Sequence, residues 1–319
     1  MTSSTPHKIK VGIIGGAGYT GGELLRILVN HPSVQISFVN SSSNAGNYVY
    51  DVHTDLFGDT DIKFTNEIAK DIDVLFLCVG HGDARKFLEK QAIPAAVKII
   101  DLSQDFRLTE KCELVTAQSP ERKFVYGLPE LNQEKIKSAE NIANPGCFAT
   151  CIELALLPLA KKQMLNQEIH INATTGSTGA GQSLSATSHF TWRNNNLSVY
   201  KAFDHQHLKE ISQTLNKLQP DFPLFPSDEN RLTFIPNRGA FSRGIIASIY
   251  TDSSLSAEEA LELYQSYYAQ HPFTHVTSRN IDLKQVVNTN KCFIQIQKHG
   301  HKLLIISMID NLLKGASGQ

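Results

Sequence analysis

Apolar and polar positions alternate in two different ways along the chain. Residues 9–14, Ile-Lys-Val-Gly-Ile-Ile, form a short β-rich run that ends in glycines at 15, 16, 18, 21 and 22. A helical pattern follows over 23–29 and closes at Asn30-His31-Pro32, because proline cannot continue a helix. Strands are expected at 34–39, 73–79 and 97–101, with a helix at about 83–92. The 73–79 run is almost wholly apolar, which suits a strand buried on both faces of a parallel sheet. Strands alternating with helices predict a doubly wound α/β sheet. The second half has another rhythm. Helical stretches fall near 148–163, 206–218 and 256–269, and strand-like runs near 168–174, 232–235, 244–251 and 292–296. Longer polar loops span 190–200 and 219–230. The expectation there is an α+β domain with a largely antiparallel sheet. Asn144-Pro145-Gly146 breaks the chain between the halves and puts the boundary at 147.

Composition narrows the class. Of 319 residues, 41% are apolar and 8% aromatic, which excludes a disordered, collagen-like or coiled-coil chain. The net charge of −1 gives no field to hold a nucleic-acid backbone or an anionic membrane, so neither is an expected partner. No apolar run approaches the roughly 18 residues of a membrane helix; the longest, 74–79 and 303–309, have the length of buried strands. The first ten residues carry no signal core or transit pattern, so a cytoplasmic protein is expected. Five cysteines, with no C-x-x-C pair, argue against a disulfide framework and a zinc knuckle, and no metal site is expected.

Gly16-Ala17-Gly18-Tyr19-Thr20-Gly21 satisfies G-x-G-x-x-G, and Gly15, Gly18 and Gly21 fit a second register. Either way the loop lies between a strand and a helix, where glycines let the backbone approach a pyrophosphate and aim a helix N-terminus at it. Past the second strand, where an NAD site places a carboxylate, stand Asn40, Ser41, Ser42 and Ser43. Hydroxyls without a carboxylate favour NADP over NAD, although no Arg or Lys lies between 38 and 60 to pair a 2′-phosphate.

Asn144-Pro145-Gly146-Cys147 leads directly into a helical run, so Cys147 is expected at a helix start. Unpaired backbone N–H groups and the helix dipole favour a thiolate there, and could hold an oxyanion formed on attack at a carbonyl. The plainer alternative is a small core residue, which is the reading for Cys78, Cys112, Cys151 and Cys292. A nucleotide loop followed by a helix-initial cysteine suggests a thiol-dependent aldehyde or acyl-phosphate oxidoreductase. Its acid/base is sought in His205-Gln206-His207, of which only one can face a site from a helix; His207 is the choice.

Eight segments occur in the order of one known family: GGAGYTGGEL (15–24), DLSQDFRL (101–108), YGLPEL (126–131), NPGCFAT (144–150), GSTGAG (176–181), HQH (205–207), PNRG (236–239) and DNLLKG (310–315). Together they resemble the N-acetyl-gamma-glutamyl-phosphate reductases of arginine biosynthesis. The resemblance implies a fold of the aspartate-semialdehyde and glyceraldehyde-3-phosphate dehydrogenase group. It has an N-terminal Rossmann domain and a catalytic, oligomerising domain over 148–304, with 305–319 packing back on the first. It implies NADP(H) as cofactor and Cys147 as nucleophile. His207 is the implied acid/base, protonating the thiohemiacetal oxyanion as it collapses. Arg107, Ser103, Asn237, Arg238 and His205 are implied around an acyl-phosphate substrate. Gly15 to Gly21, Ser41, Ser42, Thr178, Gly179 and Asn311 are implied around the cofactor. Inorganic phosphate as product and a homodimer or homotetramer are implied as well. Four positions depart from the family pattern: Phe148-Ala149 replaces Tyr-Pro, Gln206 replaces Arg, and Gln182 replaces a basic residue. The same chemistry on an N-succinyl substrate, an aspartate-semialdehyde dehydrogenase, and a nucleotide-binding sensor without chemistry are the alternatives.

Overall fold

The computed structural model describes residues 8–116, 121–227 and 229–319. The segment read for targeting, 1–7, and Asp228 of the 219–230 loop lie outside the described residues. The chain divides into two compact units. The first runs to Gly127 and resumes over Asn132–Asn144; the second takes Leu128–Leu131 and Pro145–Ser317.

The first unit opens with β1 (Ile9–Ile14), α1 (Tyr19–Leu28), β2 (Val34–Asn40), β3 (Phe64–Thr65), β4 (Val74–Leu77) and α2 (Asp83–Lys90). It continues with β5 (Lys98–Asp101), β6 (Glu113–Leu114), β7 (Arg122–Tyr126), α3 (Pro129–Lys137, kinked at Asn132) and β8 (Asn141–Ala143). The strand order is β3-β2-β1-β4-β5-β8-β7-β6, and every pairing is parallel except β6 with β7. Two cores form, one on each face. Val11, Ile13 and Val39 pack with Leu24, Leu25 and Leu28 of α1. On the other face Leu75, Leu77 and Ile99 pack with Ala84 and Leu88 of α2. A strand covered on both faces has no polar side to show, which is why 73–79 reads as continuous apolar sequence.

The second unit contains α4 (Cys147–Lys161), β9 (Ile169–Thr175), α5 (Phe190–Arg193), β10 (Ser198–Val199), α6 (His207–Leu218) and β11 (Leu232–Arg238). Then follow β12 (Ile245–Asp252), α7 (Ala257–Tyr268), β13 (Thr274–Thr277), β14 (Cys292–His299) and β15 (Lys302–Ile309). Its sheet runs β10-β11-β9-β12-β15-β14-β13, antiparallel but for β11 with β9 and β13 with β14. Helix α4 is mostly apolar, with Thr150 and Glu153 as its buried polar residues, and is buried from Phe148 to Ala160, packed on β12 and β15 and flanked by α6. Pro158 inside it donates no N–H to the Leu154 carbonyl, and the Tyr268 hydroxyl supplies the missing donor. Residues pointing toward α4, such as Ile171, Ala247, Ile249, Leu303 and Ile305, are buried. Those on the opposite face, such as His170, Ser248, Leu304 and Ile306, are only half-buried, and Tyr250 is exposed.

The division expected after 304 falls inside β15. Residues 302–309 are in unbroken register with both β12 and β14, so the strand belongs to the second unit. Burial of Leu303, Ile305, Ser307 and Ile309 at period two is the reason. Beyond it a single helical turn, Leu313–Ser317, also groups with the second unit. The polar 190–200 loop holds α5 and β10.

Candidate active site

In the first unit the glycines acquire separate roles. Gly15 has φ +77°, a conformation that favours glycine, and a Cβ there would lie 2.4 Å from the Cys78 carbonyl oxygen. Gly18 is the extended N-cap of α1, with no side chain capping the helix. Around a Gly18 Cβ the nearest atom would be 3.6 Å away, whereas a Gly21 Cβ would meet the Gly15 carbonyl oxygen and Gly16 Cα at 2.7 Å. Positive φ, open space and tight helix packing therefore fall to Gly15, Gly18 and Gly21. Gly16 is also tight, 2.2 Å from Val39 Cγ1 if it carried a Cβ. Ala17 and Thr20 lie between them, and α1 starts at Tyr19 with no side chain capping it, the kind of helix start that receives a pyrophosphate. Past β2, the buried Ser41 hydroxyl accepts from Asn44 Nδ2 at 3.1 Å, while Ser42 is exposed.

In the same unit Ser103 has a building role. Its Oγ donates to Asp101 at 2.8 Å and accepts from Asp105 N–H at 3.1 Å. Burial pushes Asp101 up to about 6, opposed by the Ser103 hydrogen bonds and the Arg107 charge. Arg107 is itself buried and donates to the carbonyls of Asn144 and Leu102, at 2.8 and 2.9 Å.

The second unit gathers the thiol chemistry. Cys147 is the first residue of α4, behind an extended Gly146 N-cap that gives no side-chain cap. It is half-buried, whereas Cys151 one turn on is fully buried and bonded to Ser307, its thiol raised well above the ordinary range by burial. Gly315 packs on Cys147; a Cβ at 315 would lie 2.9 Å from the Cys147 Cβ. His207 opens α6, and one turn along it stands Glu210, both buried. Glu210 Oε2 accepts the Gly146 N–H at 2.9 Å, and its Oε1 lies 3.8 Å from His207 Nε2. One carboxylate thus links the residue before the cysteine to the histidine ring.

The two histidines differ. His205 Nδ1 accepts the backbone N–H of His207 at 3.2 Å, and its ring packs edge-on against Phe148, Tyr200 and Phe234. Burial, then the His207 charge, lowers His205 to about 3, so it stays neutral and cannot serve as a proton donor near neutrality. Tyr200 is pushed up to about 12, by burial and then by the Cys147 charge, against the pull of Arg238. The Arg238 guanidinium lies 4.7 Å from the Tyr200 ring centre, and Arg193 donates to the Arg238 carbonyl at 2.6 Å. Asn237 spends its amide inside the sheet, donating to Asn172 Oδ1 at 2.9 Å. Asn311 is buried, accepting from Gly244 N–H at 2.7 Å and donating to Thr178 Oγ1 at 3.0 Å. It ties the Thr178-Gly179 turn to Gly244, just before β12. Glu210 and Tyr200 were not singled out from sequence. For Glu210 the signal existed, since His-x-x-Glu on a helix puts both on one face.

Residues 10–139 match the family model of the semialdehyde dehydrogenase NAD-binding domain, and residues 147–311 that of the semialdehyde dehydrogenase dimerisation domain. Two solved structures share the fold at 16% identity, each over 98% of this chain and 96% of the other. They are aspartate semialdehyde dehydrogenase II from Vibrio cholerae complexed with ASA (TM-score 0.72), and the Candida albicans aspartate semialdehyde dehydrogenase with NADP (TM-score 0.67). Fold and site together define a semialdehyde dehydrogenase. Among its relatives are proteins named N-acetyl-gamma-glutamyl-phosphate reductase. That of Parabacteroides distasonis is 58% identical and that of Bacteroides fragilis 57%, both over 98% of this chain and 92% of theirs. This chain belongs to the N-acetyl-gamma-glutamyl-phosphate reductase family.

Proposed function

We propose that this chain uses NADPH to reduce N-acetyl-gamma-glutamyl phosphate to N-acetylglutamate 5-semialdehyde and phosphate, as a step of arginine biosynthesis. The observation that carries the reading is Cys147 at an uncapped helix start, joined through Gly146 and Glu210 to His207. His207 takes the thiol proton. The thiolate attacks the acyl carbon, the bond to the phosphate oxygen breaks, and the proton leaves with phosphate. The acyl group is then a thioester on Cys147. NADPH, when bound, supplies the hydride that reduces that carbon. The resulting oxyanion collapses, the C–S bond breaks, and sulfur regains the thiolate. His207 takes up a second proton from solvent, shares it with the oxyanion in the thiohemiacetal, and recovers it as the carbonyl forms. Glu210 orients the imidazole, and His205, held neutral, fixes the start of α6. Arg107 and Arg238 are the candidate ligands for the phosphate and carboxylate groups.

The first unit fits the cofactor: the glycine loop leads into α1 without a side-chain cap, and the residues directly after β2, Ser41 to Ser43, include no carboxylate to repel a 2′-phosphate. Domain roles follow the units: the first, near the expected 1–147, for the dinucleotide, and the second, which begins at Pro145 and so includes Cys147, for the chemistry. A homodimer forms on the half-buried face of the second sheet, where Leu304, Ile306 and Tyr250 lie on the side away from α4. Among the described residues no helix is long and apolar enough to cross a membrane, and the reading assigns the enzyme to the cytoplasm.

The test is phosphate-dependent reduction of NADP by the purified protein with N-acetylglutamate semialdehyde, run beside the N-succinyl analogue and aspartate semialdehyde. Activity with the N-acetyl compound alone is expected. Preference for the succinyl compound would change the substrate, and activity only with aspartate semialdehyde would overturn the reading.

A further inference from the structure

We propose that His53 is a positioning residue of the dinucleotide loop, holding the Gly16 carbonyl so that the Ala17 N–H is fixed toward the cofactor's pyrophosphate. The inference rests on the reading that this loop binds NADP(H). His53 lies far from the glycine motif in sequence, just ahead of the short turn Thr54–Leu56. Its ring is 6% exposed, and its Nε2 lies 2.8 Å from the Gly16 carbonyl oxygen. A carbonyl only accepts, so Nε2 carries the proton.

The ring occupies a built place. A Cβ on Gly22 would lie 2.5 Å from His53 Cε1, so the second glycine of the Gly21-Gly22 pair makes room for an imidazole rather than for a ligand. The turn carrying His53 is clasped to α1 by Arg26. Its guanidinium bonds both oxygens of Asp55, at 2.5 and 2.6 Å, and Glu23 at 2.8 Å. Gly16 is held from its other side as well, since its N–H donates to the Asn40 carbonyl at 3.0 Å and Val39 leaves no space for a side chain.

Both polar groups of Gly16 are therefore committed, one to β2 and one to His53. In a trans peptide the N–H of the next residue points opposite to the carbonyl. Fixing the Gly16 C=O on His53 thus fixes the Ala17 N–H on the other side of the loop. Among the described residues nothing accepts that N–H. An ordered row of such donors ahead of a helix is what an anionic pyrophosphate binds. A glycine-rich loop is otherwise free to rotate its peptides, and each freedom lost on binding weakens affinity.

The experiment compares NADPH affinity, by fluorescence titration, in the unsubstituted protein, His53→Phe and His53→Gln. Steady-state constants and melting temperatures are measured beside it. Phe keeps the ring and loses the donor; Gln places an N–H near the position of Nε2. The expected result is that His53→Phe weakens NADPH binding, and raises its KM, by about tenfold. Its kcat and the KM for the acyl substrate stay within about twofold, and His53→Gln recovers most of the affinity. Equal affinity in all three proteins overturns the proposal. So does equal weakening by Phe and Gln that tracks a fall in melting temperature, which is a packing role alone. Failure of the unsubstituted protein to bind NADPH would remove the dinucleotide reading and the proposal with it.

Discussion

Helices α1 and α4 start alike and do opposite things. Each follows a glycine N-cap in extended conformation, Gly18 at ψ 170° and Gly146 at ψ 151°, and neither has a side-chain cap. An uncapped start leaves N–H groups and a positive dipole end for something else to satisfy. At α1 the next residues include Gly21 and Gly22, one shaped to the strand-helix turn and one to His53. The helix start has no side-chain cap, and burial holds the nearest anchoring group, His53, below the usual histidine range. At α4 the first residue is the proposed nucleophile, the helix behind it is buried from Phe148 to Ala160, and the anchoring group is the carboxylate of Glu210. The lesson is that an uncapped helix start is only a vacancy of backbone donors. The neighbouring side chain decides whether it receives an anion or carries a nucleophile.

Substitutions confined to one start separate the two roles. The largest effect is expected from Cys147→Ser. It should lower kcat by at least about a thousandfold, because a hydroxyl at this position lacks the thiolate's nucleophilicity. NADPH affinity, read by fluorescence titration, should stay unchanged. Substantial residual turnover would sink covalent catalysis at α4. Gly21→Ala is the complementary change. Its Cβ would lie 2.7 Å from the Gly15 carbonyl oxygen and Gly16 Cα, so the loop must shift. NADPH affinity should fall roughly ten- to a hundredfold. Alkylation of Cys147 by iodoacetamide should keep its rate, because the thiol's surroundings in the second unit are untouched. If both substitutions impaired both readouts equally, the two starts would not be separable in function.

Much of this contrast was legible in sequence, for reasons that differ by element. The α1 loop is readable because glycine is the residue whose absence of a side chain is the function. The α4 start is readable because Pro145-Gly146 stops one element and the following run is apolar at every turn. The register of the glycines was open, since only coordinates tell a turn glycine from a packing glycine. Ser103 illustrates a different limit: its bonds to Asp101 and Asp105 knit one motif together, and spacing alone does not show them. Glu210 escaped because its burial comes from α4 packing on α6, a contact between distant segments. The two- and three-residue strands β3, β6, β8 and β10 take their form from partners rather than from their own residues. The run at 303–309 was recognised as strand-like, yet its allegiance depended on pairing with β12 and β14.

Acid should divide the two units by sign, with a smaller effect than either substitution. In the first unit Asp101 is raised from 3.8 to about 6, chiefly by burial. Between those values the folded unit holds a proton that the unfolded chain lacks, so this group adds stability as pH falls from 6 toward 4. In the second unit His205 is lowered from 6.5 to about 3, chiefly by burial. Between those values the unfolded chain holds the extra proton, so stability is lost as pH falls below 6.5. Each group contributes at most about 1.4 kcal/mol per pH unit within its window. Hydrogen exchange at pH 7 and pH 5, corrected for intrinsic rates, reads each unit separately. Amides of α6 and β11 should lose protection relative to those of β4 and β5. His205→Gln should remove the loss in the second unit, and Asp101→Asn should remove the gain in the first. A parallel loss in both units, unchanged by either substitution, would mean that other buried groups govern the acid response.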